Sequence, residues 1–199
     1  MITIVSGLPR SGTSLMMKML ECGGLPPLCD GIRAADHDNP NGYYEFEKVK
    51  NLKDDDSWIN EADGKSLKVI STLLSDLPVD QEYRIIFMVR NLDEILSSQR
   101  KMIERRNVVE KSSDEKKLKP SYKKHLKMVK EWLSLSDEIE LFYCDYNQLV
   151  ADPARVVHKL LNALNLSLNA DRMAAVVDNN LYRQRHANGA SYFQRDQEA

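Results

Sequence analysis

The sequence predicts an α/β protein of three layers, a central parallel sheet flanked by helices. Two observations carry the prediction. Short β-rich apolar runs at Ile2–Val5, around Lys68, in YRIIFMVR and in IELFYCDY alternate with stretches of helical apolar spacing. The first run also breaks at Gly7 and Pro9 into a turn that opens directly onto a helix. Strands alternating with helices bury a parallel sheet on both faces and leave ligands at the carboxyl ends of the strands.

Taken in order, Ile2 to Val5 reads as a buried strand, and Leu15, Met16, Met19 and Leu20 as the inner face of a helix that Gly23-Gly24 stops. The stretch LPPLCDGIRAADHDNPNGYYEFEKVKNL is rich in Pro, Gly, Asn and Asp, so it is expected to be loop with at most one short helix. SLKVIS offers a short strand around Lys68, and YRIIFMVR a buried strand ending at Arg90. The helix after it places Leu92, Ile95, Leu96, Met102 and Ile103 on one face. Residues 104–120 lose apolar periodicity and become highly charged, which predicts an exposed, mobile connection. Helical spacing returns with Tyr122, Leu126, Val129, Trp132 and Leu133, and IELFYCDY is a further strand. Asp152-Pro153 reads as the N-cap and first residue of a helix carrying Val156, Val157, Leu160, Leu161 and Leu164 inward. A last short helix is expected over Arg172–Asp178, and residues 183–199 form a polar tail.

At 199 residues the chain suits one core and is expected to be a single domain over 1–199. Its 42% hydrophobic and 29% charged residues and net charge of -2 match an ordinary globular protein and argue against bulk nucleic-acid binding. Apolar runs fall far short of the ~20 residues a membrane span requires. With no leader pattern at the front, the expected location is cytoplasmic. Cys22, Cys29 and Cys144 form neither a C-x-x-C nor a metal cluster with histidine, and are expected to be buried free thiols. No metal site is expected.

Gly7-Leu8-Pro9-Arg10-Ser11-Gly12-Thr13-Ser14 has the two glycines of G-x-x-x-x-G-K-[ST] at the correct spacing, with Thr13 where the lysine belongs. Glycines let successive N–H groups turn inward, and the following helix adds the positive end of its dipole, so the loop is P-loop-like and suited to an anion. Its one cation is Arg10, with the hydroxyls of Ser11, Thr13 and Ser14 as further donors. Such a loop fits one terminal phosphate group and needs no metal.

PRSGTS after a short strand resembles the 5′-phosphosulfate loop of the sulfotransferases that use 3′-phosphoadenosine 5′-phosphosulfate (PAPS). Two further stretches support the resemblance. The strand-end Arg90 and Ser98 eight residues later resemble the family's 3′-phosphate site, where an Arg fork and a hydroxyl satisfy a dianion. LFYCDYNQLVADPARVVHKLLNALNL resembles the family's strand, Tyr-Glu-x-Leu, x-x-Asp-Pro and helix, which places Tyr146 beside the nucleotide. The chain departs from the family at Leu92, often Pro, and at Asn147, usually an acid.

The resemblance implies a sulfotransferase fold and transfer of a sulfonyl group from PAPS to a hydroxyl, or an amine, of a small or soluble acceptor, leaving 3′-phosphoadenosine 5′-phosphate (PAP). Arg10 and the loop amides would stabilise the leaving phosphate, and Lys68 matches a strand lysine that bridges it; a solvent-facing lysine is the alternative. Members with the PRSGT loop resemble a Glu base on the segment after the first helix, which here holds Asp30, Asp36, His37, Asp38, Glu45 and Glu47. Glu45 is favoured, because NPNGYYEFE sets it in a tight turn among aromatic rings suited to proton abstraction, and His37 is second. Arg183 and Arg185 match loosely a late basic segment that closes over the 3′-phosphate. Tyr43, Tyr44, Phe46 and Trp58 near the opening would admit an aromatic, lipid or sugar alcohol. Two other readings stay open: a P-loop small-molecule kinase using Asp145 to bind metal, and a PAPS-binding module without activity.

Overall fold

The computed structural model describes residues 1–36, 39, 42–105, 115–135 and 139–178. Five parallel strands form one sheet in the order β2-β3-β1-β4-β5: β1 (Ile2–Gly7), β2 (Pro27–Leu28), β3 (Ser66–Lys68), β4 (Tyr83–Val89) and β5 (Ile139–Asp145). The α/β prediction of a parallel sheet between helices is met. β1 is central and all six of its residues are buried, the near-continuous apolar run that a strand covered on both faces requires.

Alternation along the strands sorts the core into two halves. Ile2, Ile4, Ile85 and Phe87 face one side, where α2 (Leu92–Arg105) contributes Ile95 and α3 (Glu115–Ser134) contributes Leu126, Val129 and Leu133. Val5, Ile86 and Met88 face the other, against α1 (Thr13–Gly23), α4 (Tyr146–Ala151), α5 (Pro153–Ala163) and α6 (Ala170–Ala174). The chain thus leaves β1 toward one face and leaves β4 toward the opposite face. A crevice opens at that switch point, beyond the carboxyl ends of β1 and β4.

Strand register decides what meets there. Gly7 pairs with Met88, Val5 with Lys68, and Val89 with Asp145. The residues just past these ends, the loop after Gly7, Arg90 and Tyr146, are therefore brought to one level, with Lys68 alongside.

Several expectations are corrected. The Pro-rich segment holds the edge strand β2, in which Pro27 is tolerated because an edge strand leaves one side unpaired. It also holds one 3₁₀ turn, at Glu47–Asn51, within the single short helix expected, and further 3₁₀ turns follow at Ile59–Ala62 and Ser71–Asp76. The charged connection is shorter than expected: α2 runs to Arg105 and α3 begins at Glu115, passing through Pro120, with Lys119 Nζ 2.6 Å from Asp93 Oδ1 of α2. The start of α3 is pinned to α2 by that ion pair. The last helix starts earlier than expected, since Asn169 caps it by accepting from the Arg172 amide at 2.9 Å. Phe46 and Trp58 do not line an opening. They pack edge to face at 5.1 Å, Trp58 in the core and Phe46 partly buried against it. All three cysteines are free, yet Cys144 alone is buried, its thiol pushed up by burial, while Cys29 is exposed. Residues 106–114 of the connection and the tail lie outside the described residues.

Asp152-Pro153 opens α5 as predicted, the Asp152 carboxylate accepting from the Arg155 amide at 3.2 Å. Asp152→Ala is expected to lower stability by about 1 kcal/mol, read as a shift of the urea midpoint at unchanged slope.

Candidate functional site

The turn from β1 to α1 is built around positions other side chains could not occupy. Gly7 and Gly12 have φ of 147° and 104°. A Cβ at Gly7 would lie 2.5 Å from Ser11 Oγ, and one at Gly12 would lie 2.4 Å from Tyr146 Cδ2. Arg10 itself adopts a left-handed φ of 73°. Gly12 is the N-cap of α1 and makes no side-chain capping bond, and no acid sits in the first turn. The first-turn amides are thus left for an anion at the positive end of the helix dipole.

Arg90 leaves the end of β4 beneath this loop. Its Nη1 donates to the Arg10 carbonyl at 3.1 Å, its Nε donates to Glu94 at 2.9 Å, and its guanidinium lies 4.4 Å from the Tyr146 ring centroid. Glu94, fully buried, also accepts from Asn147 Nδ2 at 3.2 Å. The charge of Arg90 is thereby balanced inside the protein, and its position is fixed from three strands' ends. Arg10 reaches across to Ser98, its Nε donating to the hydroxyl at 3.1 Å. The two anion sites read from the sequence adjoin, with Arg10 between them.

On the other side stands Lys68, at the end of β3. Its ammonium donates to the Tyr43 carbonyl at 2.8 Å and to Ser14 Oγ at 3.3 Å. Burial pushes its pKa down to about 8, with Arg33 and Arg10 adding to the effect and Glu45 opposing it. Asn39 Nδ2 also donates to Ser14 Oγ, at 2.9 Å, so the loop after β2 is laced onto the glycine loop. Tyr44 takes a left-handed φ of 54° and sends its hydroxyl to Glu21 at 2.7 Å; the turn aims the next residue, Glu45, at the cavity. Glu45 accepts from Arg33 Nη1 at 2.8 Å, and the Arg33 guanidinium lies 3.3 Å from the centre of the Tyr43 ring.

These groups enclose a cavity of about 350 Å³. Arg10, Gly12, Thr13, Ser14, Glu45, Lys68, Arg90, Ser98 and Tyr146 all line it. Ser11 does not: its side chain is buried against Gly7, its hydroxyl has no hydrogen-bond partner among the described residues, and its amide donates to the Leu8 carbonyl at 3.1 Å. Asp145 is spent on structure, capping α4 by accepting from the Gln148 amide at 2.9 Å. His37, Arg183 and Arg185 lie outside the described residues. Sequence reasoning missed Arg33, Asn39 and Glu94. Only Glu94 left a local signal, four residues beyond the strand-end arginine.

A glycine loop, an uncapped helix start and two arginines at the switch point of a parallel sheet define an α/β protein with a site suited to an anionic ligand. The chain belongs to the sulfotransferase domain family, which matches residues 2–195 and so assigns it to the sulfotransferases. Its fold is similar to that of the solved sulfotransferase domain from the curacin biosynthetic pathway, with a TM-score of 0.55 and 15% identity over 98% of this chain and 95% of that one. No curated protein sequence matches. Among the described residues no helix is long and apolar enough to cross a membrane.

Glu94 touches the cavity only through Arg90, so its replacement tests the scaffold. Glu94→Ala is expected to destabilise the protein by about 3–5 kcal/mol in denaturant unfolding, because it leaves a buried guanidinium without its counter-charge.

Proposed function

We propose that this sulfotransferase takes its sulfonyl group from PAPS and passes it to a hydroxyl, or an amine, of a small or soluble acceptor. The observation that carries the reading is the junction at Arg10, whose side chain meets Ser98 at 3.1 Å while its carbonyl is held by Arg90. Two anion-binding groups so close suit one ligand with phosphates at two positions. The open start of α1 suits the 5′ end, and Arg90 with Ser98 suits the 3′-phosphate.

When bound, PAPS supplies a sulfonyl group on a phosphate leaving group. The acceptor oxygen gains a bond to sulfur as the bond from sulfur to the phosphate oxygen breaks, and the acceptor's proton passes to Glu45. Arg10, Lys68 and the α1 amides stabilise the charge that develops on the phosphate. Tyr146 holds Arg90 in place beneath the ligand and closes the cavity beside Gly12.

Calorimetry tests the donor. PAP is expected to bind without metal and in preference to magnesium ATP, and Ser98→Ala is expected to weaken PAP by roughly 10- to 100-fold, the loss of one charged hydrogen bond. The same variant is expected to leave adenosine 5′-phosphosulfate, which has no 3′-phosphate, almost unaffected. Preference for magnesium ATP, or equal loss for both ligands, overturns the assignment.

Lys68 gives a second test. Its depressed pKa means that much of the free protein has lost that proton above about pH 8, and a bound anion restores the charged form. PAP binding at about pH 8.5 is therefore expected to take up a proton, measured as a dependence of the binding heat on buffer ionisation enthalpy, and Lys68→Met is expected to abolish the uptake.

A further inference from the structure

Arg33 is a cation that the donor does not account for, and it stands beside the proposed base. It lines the main cavity and also an adjoining hollow of about 260 Å³, whose wall it shares with Tyr43 and Glu45. Small residues, Gly31, Ala34 and Ala35, form much of the rest of that hollow. The hollow opens beside the proposed base and away from Arg90 and Ser98, which is where an acceptor must approach.

The pairing of Arg33 with Glu45 bears directly on the base. Glu45 accepts from Arg33 at 2.8 Å, and the two side chains are 36% and 27% exposed, so the pair is open to an incoming ligand and contributes little by itself. A carboxylate that takes up the acceptor's proton becomes neutral. At that moment Arg33 loses its counter-charge, in a region that already holds Lys68 and Arg10. An acceptor with no charge leaves this cation to solvent alone beside two other cations, whereas one with an anion takes over the guanidinium as Glu45 is drawn to the hydroxyl. The side chain is shaped for that exchange. Stacking on Tyr43 at 3.3 Å holds the guanidinium plane still, and a planar fork binds a carboxylate or phosphate through paired N–H groups.

We infer that the acceptor is a hydroxyl compound that carries its own anionic group, and that Arg33 is the specificity-determining residue that binds that anion and frees Glu45. The inference rests on the donor and base assigned above. In the step it serves, the oxygen–sulfur bond forms, the sulfur–phosphate oxygen bond breaks, the proton goes to Glu45, and Arg33 exchanges Glu45 for the acceptor's anion.

The test titrates the PAP-loaded protein with matched probes: 4-hydroxybenzoate against 4-hydroxybenzamide, 3-hydroxybutyrate against 3-hydroxybutanamide, and glycerol 3-phosphate against glycerol. At least one anionic member is expected to bind more tightly than its neutral partner by about tenfold or more. Arg33→Gln is expected to erase that difference, and Arg33→Lys to restore part of it, a pattern that a merely structural role for Arg33 would not produce. If the neutral members bind as well, if no anionic member binds the PAP-loaded protein, or if Arg33→Gln keeps the preference, the inference is overturned. Failure of PAP itself to bind overturns the donor assignment instead. Whether a carboxylate or a phosphate is the natural group is read from which pair shows the larger difference.

Discussion

The site hangs on the buried ion pair between Arg90 and Glu94. A guanidinium at the end of β4, exposed by only 9%, would be excluded from such a position without a counter-charge, and Glu94 supplies it from the first turn of α2 at 2.9 Å. Once fixed, Arg90 does three things. It holds the carbonyl of Arg10 and so shapes the glycine loop. It lies against Tyr146, whose ring in turn fills the space beside Gly12. And through the Arg10 side chain it sets Ser98 in line with the loop. Strand β4, helix α2, the first loop and the start of α4 are joined by one charge and its partners.

The opposite wall is organised in a different manner. There the polar groups are held by the loop after β2, whose backbone supplies acceptors where a helix or sheet would have used them. Lys68 meets the Tyr43 carbonyl, Asn39 spans Ser14 and the Gly42 carbonyl, and Arg33 stacks on Tyr43. One wall is thus packed and buried, and the other is a web of partly exposed contacts. The division suits a transferase that must hold one ligand the same way each time and admit a second from solvent.

Much of the donor side was legible because its residues sit at fixed distances from strand ends. A buried apolar run followed by glycines predicted the loop, and YRIIFMVR placed Arg90 at the mouth of the sheet whatever the details of packing. Ser98 came from the resemblance to the family's 3′-phosphate site, eight residues beyond Arg90. Ser11 read as a donor in sequence, yet the tight turn rotates it inward, a matter of backbone angles that the sequence of hydroxyls does not encode. Arg33 and Asn39 were invisible for a deeper reason. They lie in a segment without periodicity, and only the left-handed turn at Tyr44 and the tether to Ser14 bring them to the cavity. The helical start of α3 was missed because a run of charged residues lacks the apolar stripe on which helix prediction depends.

The neighbours Gly12 and Thr13 also set a limit on what this loop could become. Gly12 is closed to every side chain by its left-handed backbone and by the Tyr146 ring, while Thr13, at the position a triphosphate-binding loop gives to lysine, is only 7% exposed. A lysine placed there would add another cation to a cavity already lined by Arg10 and Lys68. Turning this loop into a lysine-bearing one therefore takes more than the exchange of Thr13, because the added charge has to be balanced by changes elsewhere in the wall.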